Sequence, residues 1–123
     1  VTKKMHNALQ GGEIRLTDLE PARPGEADKR RPAVIVSNDR ANATAARLGR
    51  GVVTVVPITS NTARVFPFQV LLPAEETGIR TDSKAQAEQV RSVSIERIGP
   101  VIGRLPTHLV TQLDDALRLH LQL

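Results

Sequence analysis

The 123-residue chain has the length of one domain, carries a formal net charge of +4 and lacks cysteine, which excludes disulfides, thiol nucleophiles and Cys-ligated zinc. A hydrophobic fraction of 40% against 24% charged residues reads as soluble and globular, and no run reaches the ~18–20 apolar residues of a membrane span. Rings are confined to Phe66 and Phe68 while thirteen of the seventeen basic residues are Arg, so any nucleic-acid contact runs mainly through guanidinium groups, hydroxyls and amides rather than many stacked aromatics.

Residues 1–10 are polar, have no apolar signal-type core and read as a loose arm ahead of Gly11-Gly12. From Glu13 to Asp18, Ile14 and Leu16 alternate with polar residues, which predicts a half-buried strand. Residues 20–30 are rich in charge and chain breakers and predict an exposed loop. Arg31-Pro32 then leads into Ala33-Val34-Ile35-Val36, a buried-strand pattern in which the proline forces Arg31 to be extended. Ser37–Leu48 reads as a connection with one helical turn near Ala43–Arg47. Strands follow at 51–58, at 66–72, over Val90–Ile98 and over Pro100–Leu105. Beyond Pro106 the spacing of Leu109, Leu113, Ala116, Leu117 and Leu121 predicts a helix, N-capped by Thr107 and carrying an Asp114–Arg118 pair. The pattern as a whole is mainly β: a small barrel or curved sheet with a C-terminal helix, a domain over 11–123 behind a flexible arm at 1–10.

Charge is uneven. Residues 1–64 hold eleven Lys/Arg against six acids, and from Arg40 to Ala74 there are four Arg and no acid. A metal site has no ligand spacing to support it, since His6, His108 and His120 are far apart and Asp114-Asp115 point ~100° apart on a helix. No nucleophile elbow and no phosphate loop is present, Gly49-Arg50-Gly51 being too short. What remains is Arg31 where a loop enters a strand and Thr59-Ser60 where another strand ends. If those strands are neighbours, a planar guanidinium and two hydroxyls share one rim, a donor set suited to phosphate. The ordinary alternatives are a solvated Arg and a turn.

The pieces Gly12-Glu13-Ile14, Asp18-Leu19-Glu20-Pro21, Glu26 ahead of Arg31-Pro32-Ala33-Val34-Ile35-Val36-Ser37-Asn38-Asp39, and Val56-Pro57-Ile58-Thr59-Ser60 come in a specific order. Together with Pro67-Phe68-Gln69-Val70-Leu71-Leu72 and Glu88-Gln89-Val90-Arg91-Ser92 they resemble the MazF/PemK family of toxin endoribonucleases, its mycobacterial branch in particular, over about residues 11–121. The resemblance implies an SH3-like barrel of the CcdB/PemK type, a cytoplasmic homodimer and metal-independent, cofactor-free cleavage of single-stranded RNA. The RNA is messenger, ribosomal or transfer RNA, cut selectively to 2′,3′-cyclic phosphate and 5′-hydroxyl ends. It implies a MazE-like antitoxin as partner, no membrane, and DNA contacts only through that antitoxin. By motif the catalytic Arg falls on Arg31, the catalytic Thr on Thr59 and the acidic residue on Glu26, which either takes the 2′-hydroxyl proton or pairs with Arg30 or Arg31. Arg30, Ser60, Asn61, Gln89, Arg91 and Arg15 are the RNA-binding candidates. Arg15 stands where the family carries Trp or Tyr. The alternatives on the same scaffold are a gyrase poison, a non-cleaving RNA- or protein-binding homologue, and a plain interaction domain.

Overall fold

The computed structural model describes residues 9–19 and 30–123. Strands β1 (Glu13–Thr17), β2 (Arg31–Ile35) and β3 (Val52–Thr59) pair antiparallel in sequence. Beyond β3 the sheet forks, because two strands share its far edge. Strand β4 (Gln69–Leu72) pairs with β5 (Ser83–Gln86), which meets β3 at Ile58 and Thr59; β6 (Arg91–Ser94) meets it at Val52–Val55. Pro57 lies between the last β6 partner and the first β5 partner, where its missing N–H breaks no ladder. A 3-10 turn at Ile95–Arg97 carries β6 into β7 (Ile98–Arg104), which returns along β1. Strands β1, β2, β3, β6 and β7 thus wrap around one interior, and the β4–β5 hairpin extends the same sheet. The barrel-type sheet with a terminal helix is as the sequence predicts.

Period-two alternation divides the apolar side chains between two cores. Ala33, Ile35, Val53, Val55 and Val93 fill the barrel interior with Leu9, Leu19 and Ala45. Val34, Val56, Ile58, Val70 and Leu72 face outward and are covered by Leu109, Leu113 and Ala116 of the C-terminal helix.

Several local expectations change. Ser37–Leu48 holds the ten-residue helix α1 (Asp39–Leu48) rather than one turn. Asn38 caps it by accepting from the Ala41 amide at 2.8 Å, and Gly49 ends it at φ 67°. Its core face is narrow, with Ala45 and Ala46 as the buried apolar residues, so hydrophobic periodicity understated it. The short helix α2 (Ala74–Thr77) and strand β5 have no clear apolar pattern in the sequence and add to the predicted elements. Phe66–Phe68 forms a turn and β4 begins only at Gln69, while the strand expected over Val90–Ile98 is broken by the 3-10 turn. Helix α3 (Thr107–Leu121) starts after Pro106, so Thr107 is its first residue and caps nothing. Arg118 pairs with Asp115 at 3.1 Å instead of Asp114, and Leu121 is exposed. Leu9, expected within the arm, is buried; residues 1–8 and 20–29 lie outside the described residues.

The β1–β7 ladder slips register on either side of Arg15, and Gly99 sits in that irregular stretch. A Cβ at Gly99 would stand 2.6 Å from the Leu16 carbonyl oxygen and 3.3 Å from Arg30 Nη1. Backbone cannot yield there as a flexible side chain can. Urea denaturation of Gly99→Ala is expected to show a loss of about 2 kcal/mol; parental stability would mean that β7 has room to move off β1.

Candidate functional site

Strand register decides which rim residues meet. Ala33 faces Pro57, Val34 faces Val56 and Ile35 faces Val55. Carried two residues further, the same register sets Arg31 opposite Thr59. Arg31 is also the cross-strand partner of Thr17, and Thr59 that of Lys84. One row of the sheet therefore reads Thr17, Arg31, Thr59, Lys84. Directly opposite residues share a face with Cβ atoms about 4.5–5.5 Å apart, here the face of Ala33, Ile35 and Val55. That row lies at the barrel end away from α1 and aligns Arg31 with Thr59, while Ser60, the second hydroxyl expected there, follows the strand end outside the row.

Among the described residues, Thr59 and Arg31 keep side-chain donors available. Thr59 Oγ1 accepts from the Asn61 amide at 3.2 Å, and a hydroxyl that accepts still has its own hydrogen to give. Asn61 Oδ1 accepts in turn from the Ala63 amide at 3.3 Å, so two successive side-chain turns shape the chain leaving β3. Arg31 is exposed and has no hydrogen-bond or ion-pair partner among the described residues. Ser60 and Asn61 are exposed beside it. Arg91 stands opposite Val55 at the start of β6, on the same face of the sheet, and is exposed, as is Gln89 in the 3-10 turn before it. Arg30 is exposed next to Gly99. Glu26 lies outside the described residues.

Arg15 is engaged within the sheet: its Nε and Nη2 lie 3.1 and 3.0 Å from Glu13 Oε1, and Nη1 donates to the Gly99 carbonyl oxygen at 3.1 Å. Glu13 is buried, and it also accepts from the Gln10 amide at 2.8 Å and from Arg104 at 3.2 Å. A carboxylate in such surroundings needs cations and N–H donors around it, and Arg15 is the nearest cation on its own strand. Lys84 is the rim residue that sequence reasoning missed. It is buried and its Nζ donates to the Arg64 carbonyl oxygen at 2.6 Å. Nothing in Ser83–Gln86 signals a strand, so its place beside Thr59 becomes visible only in the pairing.

The histidines stand elsewhere: His108 Nε2 is 2.7 Å from Glu76 and His120 lies 6.5 Å from the Phe68 ring. No three His, Cys, Asp or Glu side chains form a metal-holding group among the described residues, and no described helix is long and apolar enough to cross a membrane. The mouth thus offers a guanidinium fork, a hydroxyl donor and further cations. Donors of these kinds suit a tetrahedral oxyanion and charge growing on it.

Residues 10–121 match the family model of PemK-like, MazF-like toxins of type II toxin-antitoxin systems. The chain is 62% identical over 115 residues to Endoribonuclease MazF9 of Mycobacterium tuberculosis, covering 94% of this chain and 98% of that protein. With Endoribonuclease EndoA of Bacillus subtilis it shares 27% over 116 residues, or 94% and 96% of the two chains. An endoribonuclease in complex with its cognate antitoxin from a mycobacterial species matches with a TM-score of 0.71 at 22% identity, over 94% of this chain and 97% of that one. A MazF crystal structure from Deinococcus radiodurans gives 0.73 at 23%, again over 94% and 97%. The solved structures establish the fold.

Removing Arg15 leaves Glu13 buried with Arg104 and the Gln10 amide alone. Arg15→Ala is expected to lose about 2 kcal/mol in urea denaturation. Unchanged stability would show that Arg104 alone suffices for that carboxylate.

Proposed function

This chain belongs to the family of PemK-like, MazF-like toxins, and we propose that as an RNA-cleaving toxin it holds one phosphodiester of single-stranded RNA between Arg31 and Thr59. The observation that supports this most is the β2–β3 register, which, carried on from the Ala33–Pro57 pair, sets Arg31 opposite Thr59 where the strands reach the rim.

The reaction is an internal transesterification. The ribose 2′-oxygen attacks phosphorus, the P–O2′ bond forms and the P–O5′ bond breaks. The products are a 2′,3′-cyclic phosphate and a 5′-hydroxyl. No enzyme nucleophile is consumed, so the protein's work is alignment and stabilisation of charge on the phosphoryl oxygens. Arg31 supplies two parallel N–H donors and Thr59 one hydroxyl hydrogen. Arg stays charged at all working pH values and is a poor base. Glu26, or water held by it, accepts the 2′-hydroxyl proton, and water or Arg31 returns one to the departing 5′-oxygen.

Arg30, Ser60, Asn61, Gln89 and Arg91 hold the flanking RNA by phosphate and base-edge contacts, and the protein is a homodimer in the cytoplasm, where that RNA is found. Arg15 is bound to Glu13 and contributes stability rather than an RNA contact. The cognate antitoxin is MazE-like and covers the cationic mouth with an acidic segment, and DNA is met only through it. A protein-binding gyrase poison has no need of an Arg31–Thr59 pair.

Incubation with long RNA in EDTA, followed by end-group analysis, tests this. Cleavage is expected to persist without divalent metal and to leave 5′-hydroxyl ends. Arg31→Ala and Thr59→Ala are each expected to lower the rate about a hundredfold or more with parental melting temperatures. Full activity in either variant would remove that residue from the chemistry, and full activity in Glu26→Gln across pH would remove Glu26 from proton transfer.

A further inference from the structure

The loop from Ser60 to Phe68 leaves β3 directly at Thr59 and is held more firmly than its exposure suggests. The Thr59 and Asn61 side chains fix its start. Lys84 Nζ binds the Arg64 carbonyl oxygen, and the Phe66 amide donates to Gln69 Oε1 at 3.1 Å. Gln69 is itself anchored, giving Nε2 to Glu88 Oε2 at 2.7 Å.

What this loop presents is the protein's whole aromatic content. Phe66 and Phe68 stack with centroids 5.4 Å apart and planes within 3°. The Arg64 guanidinium carbon lies 5.5 Å from the Phe66 centroid and Lys84 Nζ 6.0 Å from it. Phe66 is nonetheless 39% exposed, and a ring serving only as an apolar anchor would be covered. Arg64 and Lys84 stand beside one ring, and the stretch from Arg40 to Ala74 that carries Arg64 and Phe66 contains no acid, which matches a partner that is flat, π-rich and anionic.

We infer that Arg64 and Phe66 form a base-stacking subsite for the RNA nucleotide next to the phosphate held at Arg31 and Thr59, with Lys84 as the positioning residue that sets the loop. The inference rests on the RNA-cleaving reading and adds to it a contact made with the face of a base. Every base has a π-face, so this subsite tolerates sequence and leaves discrimination to hydrogen bonds elsewhere.

The chain contains no Trp or Tyr, so a Phe66→Trp protein carries a single indole reporter at the subsite. The experiment uses protein with its native Thr59 and a 5′-fluorescein single-stranded 2′-O-methyl RNA 20-mer of random sequence, which lacks the attacking hydroxyl and is not cut, followed by anisotropy. Phe66→Leu is expected to weaken binding about tenfold or more, by a factor that is the same at low and high KCl, because stacking releases no counterions. Arg31→Ala is expected to lose an effect that shrinks as salt rises. Phe66→Trp should bind at least as tightly as Phe, with its emission quenched as the unlabelled 2′-O-methyl 20-mer saturates the site. Arg64→Ala, an exposed side chain whose carbonyl still meets Lys84, should weaken binding several-fold and covers the case in which Phe66→Leu disturbs folding. Parental affinity in both Phe66→Leu and Arg64→Ala, or indole emission unmoved at saturation, would overturn the stacking subsite while leaving RNA cleavage standing. Absence of RNA binding by the protein with its native Thr59, Phe66 and Arg64 would overturn both readings.

Discussion

The pairing of β2 with β3 in the Ala33–Pro57 register is the constraint on which the rest of the molecule hangs. These two strands are apolar on both faces. Val34 and Val56 pack toward α3, while Ile35 and Val55 fill the barrel, all at most 1% exposed. A slip of one residue would exchange the two sets and send Arg31 to the opposite face from Thr59. With burial of each such side chain stabilising by about 2 kcal/mol, several of them acting together leave no competing register. Pro57 adds a second restraint, since its ring fits only where β6 has ended and β5 has not begun. The site therefore inherits its geometry from hydrophobic burial some residues away.

That dependence explains how much was legible in the residues alone. Ala33–Val36 and Val52–Ile58 are long apolar runs, and Leu109, Leu113 and Ala116 keep strict helical spacing, so the strands carrying Arg31 and Thr59 and the covering helix could be read directly. The rim pairing then needed only that the two strands be neighbours. Where burial is carried by small or polar groups the signal fails. Helix α1 buries two alanines and Asn42, and β5 buries Ser83, Lys84 and Ala85, none of which stands out as a core pattern. Lys84 was invisible for that reason. Arg15 shows a different limit: nothing in the sequence signals its ion pair with Glu13, the buried carboxylate two residues away. Glu26 rests on its motif position, because it lies outside the described residues.

The unusual composition also takes on a structural meaning. Thirteen Arg and two Phe are not spread at random over a small barrel. Arg31 and Arg91 lie on the face that carries Thr59, Arg64 stands over Phe66, and both rings sit on the loop that begins after Thr59. Arg15 and Arg104 meanwhile neutralise Glu13. Guanidinium groups thus do two separate things here, holding the first strand to the last and giving the mouth its field.

The central claim is that Arg31 and Thr59 act on the same phosphate because the register sets them side by side. A double-mutant cycle on single-turnover cleavage of one oligoribonucleotide, using Arg31→Ala, Thr59→Ala and the combined variant, measures this most directly. Groups serving one transition state act as a unit, so the double variant is expected to lose at most about tenfold beyond the worse single variant. Losses that simply multiply would mean that the two residues act independently, and would contradict the account.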